Sequence, residues 1–167
     1  MTKDEKIEAM LRGHRATGQR GAGLDPRYEG YFACFNAQDY FGAHEILEHL
    51  WLRSREPDRA FYKGLIQLAG AFVHLQKQFR RPHHPKDATR VHPAVRLFRV
   101  AARNLAPYRP QHLRLDVERV WTLGTTLAEQ IVEAGYANPW TPQTAPTISL
   151  GPAGANPLDN EVKLPDH

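Results

Sequence analysis

The chain has 167 residues, 41% of them hydrophobic and 24% charged, which supports one globular core and excludes disorder throughout. Cys34 is the only cysteine, so no intramolecular disulfide can form and a reducing, cytoplasmic setting is expected. The formal net charge is +4 and the sequence pI about 9.4. The amino-terminal run MTKDEKIEAMLRGHR mixes both signs, and no window approaches the roughly 18 apolar residues of a membrane span, so neither export nor membrane insertion is expected.

Helical signals dominate, and no strand-like alternation of useful length and no internal repeat is found. A weakly amphipathic helix is predicted over Asp4 to Thr17, interrupted by Gly18 to Gly23. Asp25 followed by Pro26 reads as an N-cap with proline in the first turn, opening a short helix to about Asn36. Asp39 caps the next, which runs to about Arg55 and is stopped by Pro57. Asp58 is predicted to cap a long helix from Arg59 to about Phe79. A basic loop follows over Arg80 to Arg90; Pro93 opens a helix ending near Leu105, and a last helix covers about Asp116 to Ala134. The fold class expected is all-α, a compact bundle of about six helices over residues 1–134. From Gly135 the remaining 33 residues hold six prolines and no helical period, so 135–167 reads as an extended tail, with Trp140 and Ile148 as anchors if it lies along the bundle.

The most informative pattern lies between Asp39 and Arg55. On a helical wheel, His44 and Glu48 fall inside an apolar arc bounded by Tyr40, Leu47 and Trp51 on one side and by Phe41 and Leu52 on the other. Glu45, His49, Arg53 and Glu56 fall opposite. A carboxylate aimed into a core costs several kcal/mol unless it is satisfied, and His44 one turn away is its local partner. The next helix is apolar nearly all round from Gly64 to Leu75 apart from Gln67 and His74, which share a face seven residues apart. His44, Glu48, Gln67 and His74 are therefore expected to converge between the two helices, with Trp51 alongside.

These residues carry a resemblance. The run Tyr31-Phe32, Phe35-Asn36, Tyr40-Phe41, His44, Glu48, Trp51 and Phe61-Tyr62-Lys63-Gly64-Leu65-Ile66-Gln67 resembles a prokaryotic family, domain of unknown function family 309, over roughly residues 28–105. Its mark is His-x-x-x-Glu-x-x-Trp or Tyr, here His44, Glu48 and Trp51. The resemblance implies an all-helical fold and a metal-binding motif, and it implies no reaction.

The residues themselves leave several readings open. A divalent transition metal could be held by His44 and Glu48 with a third ligand from His74, from Glu45 or from another subunit, since imidazole and carboxylate one turn apart can share an ion. Trp51 and Gln67 would then line a small-ligand site. The run His44-Glu45-Ile46-Leu47-Glu48 is not a zinc-protease helix, because glutamate stands where the second histidine is required. The same polar residues could instead form a buried hydrogen-bonded network or do acid–base work. A separate reading is a structural module in which helix faces pair with a second copy as a homo-oligomer. A third concerns charge: between Lys77 and Arg103 there are eight Lys or Arg against one acid, Asp87. Arg96, Arg99 and Arg103 form a stripe opposite Val95, Phe98, Ala102 and Leu105, and with Arg80 and Arg81 they could hold nucleic-acid phosphates, against the plainer reading of a solvated face. No recognition motif and no alternating aromatics accompany them.

Overall fold

Aspartates and prolines open most of the helices. A computed structural model describes residues 2–16 and 23–152. Helix α1 spans Lys3–Ala16; the expected break at Gly18 to Gly23 lies largely outside the described residues, as does the tail beyond residue 152. Asp25 caps α2 (Pro26–Asn36) by accepting from the Arg27 amide at 2.8 Å, and its second oxygen takes the Arg27 guanidinium at 2.8 Å. Burial by itself would raise the Asp25 carboxyl, but the hydrogen bonds from the Arg27 guanidinium and amide, together with the nearby positive charge, hold it below its usual range. Asp39 caps α3 (Tyr40–Trp51) through the Gly42 amide at 3.0 Å. Then follow α4 (Arg59–Arg80), α5 (Val91–Leu105), a 3-10 turn at Ala106–Tyr108, and a small antiparallel ladder of β1 (Gln111–His112) and β2 (Leu115–Asp116). Asp116 caps α6 (Val117–Glu133) through the Arg119 amide at 3.0 Å.

The chain is all-α, apart from that ladder, and α4 is its central helix, packed on α3 along one side and on α5 along the other. Gly64 permits the second contact: a Cβ there would stand 2.8 Å from Leu105 Cγ and 3.2 Å from Asn104 Cβ. Edge-on ring contacts run through the core from Phe35 to Phe72 and from Phe72 to Phe98, each pair 5.1 to 5.3 Å apart. The buried Tyr31 hydroxyl donates to the Leu65 carbonyl at 2.7 Å, so α2 is tied to α4 as well as packed near it.

After α6 the chain runs extended along the bundle. Trp140 is 5% exposed, meets Tyr40 and Phe79 edge-on, and donates its indole N–H to the Tyr40 hydroxyl at 3.0 Å. Ile148 is equally buried, and its backbone exchanges two hydrogen bonds with the Asn36 amide at 2.8 and 2.9 Å. The Arg114 side chain holds the Gly151 carbonyl at 2.6 and 2.8 Å.

Three local expectations need correction. Asp58 precedes α4 without capping it by its side chain, because Oδ1 instead meets His112 Nε2 at 2.8 Å. Helix α3 ends a turn early, at Trp51: the Arg59 guanidinium takes the carbonyls of Trp51 and Ser54 at 3.0 and 3.1 Å and fixes a turn there. The third concerns which face of α3 is buried. Its core-facing residues are Tyr40, Ala43, Ile46, Leu47 and Leu50, whereas Phe41 and Leu52 are 58% and 57% exposed. The buried arc is therefore rotated away from the one predicted. His44 and Glu48 lie at its edge, with side chains 32% and 31% exposed. His49, expected in solvent, is half-buried under α1, between Asp4 at 3.0 Å and Arg27 at 3.0 Å.

Candidate functional site

The edge of α3 gathers the polar groups around His44. Its Nδ1 is closed off from solvent and has no hydrogen-bond partner among the described residues; Glu48 Oε2 lies 3.5 Å away, within ion-pair reach but outside hydrogen-bond geometry. The other Glu48 oxygen lies 3.4 Å from Lys3 Nζ on α1. Burial keeps the His44 imidazole below its ordinary pKa against the pull of Glu48, and the positive charges of Lys3 and Lys63 add to the effect. A neutral imidazole with its proton on Nδ1, facing Glu48, leaves the Nε2 lone pair free, and Nε2 bonds to no described residue.

Trp51 completes the strip one turn along. It is half-buried, with Lys63 Nζ 4.2 Å and the Arg59 guanidinium carbon 4.3 Å from the centre of its ring. Arg59 and Lys63 are four residues apart on α4, so one face of α4 delivers both cations to the end of α3. The resulting patch holds one neutral imidazole, one carboxylate, an indole and three cations. Sequence reading missed Lys3, Arg59 and Lys63, because their meeting with α3 depends on how α1 and α4 cross it.

Gln67 and His74 do share a face of α4, but it looks toward α5. Gln67 Oε1 accepts from Asn104 at 2.7 Å, and His74 Nδ1 lies 3.1 Å from Arg90 Nη1. Burial, and then Arg90, lower the His74 pKa. The expected convergence of His44, Glu48, Gln67 and His74 therefore does not occur: α4 carries the first pair's partners on one side and its own polar pair on the other. Among the described residues no three His, Cys, Asp or Glu side chains gather as a metal site would need. Cys34 is half-buried without a partner arrangement, and burial foremost, then Asp39, pushes its thiol up to about 11.

On the basic side, Arg96, Arg99 and Arg103 are exposed along α5, while Val95, Phe98, Ala102 and Leu105 opposite them are buried. Arg80 and Arg81 are exposed at the end of α4. Asp87 pairs with Arg90 and lies 3.5 Å from Arg81 and 3.6 Å from His84.

No described helix is long and apolar enough to cross a membrane. The fold and site define an all-helical domain with a polar patch at the edge of the α3–α4 pair. Residues 28–82 match the model of one family, Domain of unknown function (DUF309). The match takes in His44, Glu48, Trp51, Arg59 and Lys63 and leaves out α5. No curated protein and no solved structure matches the chain.

Proposed function

We propose that this chain is a binding module for a small anionic ligand, such as a carboxylate or a phosphate ester. The ligand sits on the strip formed by His44, Glu48 and Trp51, and Arg59, Lys63 and Lys3 supply its counter-charge. The observation that supports this most is the placing of His44: Nδ1 is closed off from solvent 3.5 Å from Glu48 Oε2, and Nε2 bonds to no described residue. Such a nitrogen accepts a hydrogen bond from a ligand hydroxyl or acid proton, while cations within a few ångströms stabilise the ligand's charge. In this arrangement Glu48 acts as a positioning residue: its negative charge 3.5 Å from Nδ1 favours the proton on that nitrogen and leaves Nε2 to the ligand. The cations also favour an anion over a bare metal ion, which they would repel.

The test is a titration of tag-free protein with citrate, inorganic phosphate and Zn²⁺, followed by NMR at the His44 imidazole and the Trp51 indole N–H. Saturable shifts of both resonances with one of the anions, lost in Lys63→Glu and in His44→Ala, are expected. If Zn²⁺ shifts them and neither anion does, the patch is a metal site and the proposal fails; it fails equally if nothing shifts them.

A further inference from the structure

Away from that patch, the charge around α5 is not merely a solvated face. Lys77, Arg80, Lys86, Arg96, Arg99 and Arg103 are exposed, and none forms an ion pair among the described residues. Some cations elsewhere are matched: Arg27 with Asp25 at 2.8 Å, Arg109 with Glu118 at 3.1 Å and Lys3 with Glu48 at 3.4 Å. The only acid within the basic segment, Asp87, is buried and already engaged by Arg90, so it does not offset the others.

A second observation comes from a ring pair that no sequence pattern announces. His92, at the start of α5, stacks on Tyr136, which follows α6, with centroids 3.9 Å apart and planes within 9°. His92 is nonetheless exposed, so the stack on Tyr136 leaves part of its ring in solvent. It lines an open depression together with Lys86, Arg90, Arg96 and His74. A rigid stacked ring beside unpaired cations is the combination by which proteins hold unpaired bases: the ring takes the base and the cations take the backbone. Arg96 to Arg103 span about 10 Å of helix axis, comparable with two or three phosphates of an extended strand.

We infer that this surface binds single-stranded nucleic acid, with a base stacked on the exposed part of the His92 ring and successive phosphates on Lys86, Arg96, Arg99 and Arg103. Sugar type is open to either polymer, because the shared chemistry is an unpaired base on a phosphate chain.

Fluorescence anisotropy of labelled single-stranded RNA, single-stranded DNA and duplex DNA of equal length tests this on the full chain. Neutralising about four phosphates of a single strand predicts a log–log salt slope near −3, which is roughly a 50-fold loss of affinity between about 50 and about 200 mM salt. Arg96→Glu with Arg99→Glu should abolish most binding. His92→Ala should weaken single-strand binding at least about fivefold while leaving the salt slope nearly unchanged, as loss of stacking and not of charge requires. Circular dichroism confirms that each variant is folded, and Arg55→Glu, an exposed charge reversal outside the basic segment, should bind as the parent does. No salt-dependent binding at micromolar protein overturns the inference. Duplex bound as tightly as single strand, with His92→Ala without effect, overturns it too.

Discussion

Trp140→Ala measures how firmly the extended segment after α6 belongs to the fold. The indole is 5% exposed, packs edge-on against Tyr40 and Phe79, and donates to a tyrosine hydroxyl that is otherwise buried. A buried aromatic of this size removes about 150–250 Å² from water, and truncating a buried tryptophan to alanine costs about 3–5 kcal/mol. The Tyr40 hydroxyl, left without its donor, adds a further cost of about 1 kcal/mol where water does not replace it. The opposing effect is relaxation: the segment can close over part of the space, since Asn36 and Arg114 still hold it at Ile148 and Gly151. About 4 kcal/mol is therefore expected, a large share of the roughly 5–15 kcal/mol stability of a domain this size. Urea denaturation should show a lower midpoint with an m-value close to that of the parent, because the variant still unfolds as one unit. Tyr40→Phe, which keeps the ring and loses only the hydrogen bond, should cost about 1 kcal/mol. A loss below about 1 kcal/mol for Trp140→Ala would mean that the segment does not dock as described.

Other outcomes follow from the same contacts. Gly64→Val should destabilise by about 2 kcal/mol or more on chemical denaturation, because its Cβ alone would meet Leu105 Cγ at 2.8 Å. Asp25→Ala, which removes the α2 cap and the acceptor for Arg27, should cost about 1–2 kcal/mol in the same assay. Glu48→Gln and Glu48→Ala should each change stability by less than about 1 kcal/mol, since the carboxylate is 31% exposed and its partner Lys3 is more so. His44 and His74 both have folded pKa values below the unfolded value of 6.5, so the unfolded chain binds more protons. Their contribution to stability is thus complete above about pH 6.5 and falls as pH drops toward the folded pKa values. Denaturation midpoints measured from pH 7.5 to 5 should decline, and the decline should be shallower in a His44→Gln, His74→Gln double variant.

Much of the helical layout is legible in the sequence because its signals are local. Asp25 and Asp39 cap where their spacing to the next apolar run says they should, and the prolines mark the breaks. Asp58 defeats the same rule because its carboxylate meets His112, 54 positions away, and nothing nearby announces that. The α3 wheel fails for a related reason. It counts apolar residues, and Phe41 and Leu52 pulled the expected arc toward a side that solvent occupies. Gln67 and His74 show the limit of periodicity from the other direction: their spacing correctly puts them on one face of α4, and it cannot say that the neighbour there is α5. The His44, Glu48, Trp51 strip is legible as a motif, while Lys3, Arg59 and Lys63 enter it only through helix crossing. The His92–Tyr136 stack joins residues 44 positions apart and has no sequence signature at all.

The binding account rests on the state of one imidazole. Long-range ¹H–¹⁵N correlation spectra of uniformly labelled protein, recorded across the pH range that protonates histidine, report the tautomer and pKa of His44 directly. The account predicts a neutral ring at pH 7 with its proton on Nδ1, an unprotonated Nε2, and a midpoint below 6.5; in Glu48→Gln the tautomer preference should weaken. A ring carrying its proton on Nε2, or one whose midpoint lies above 6.5, would contradict it.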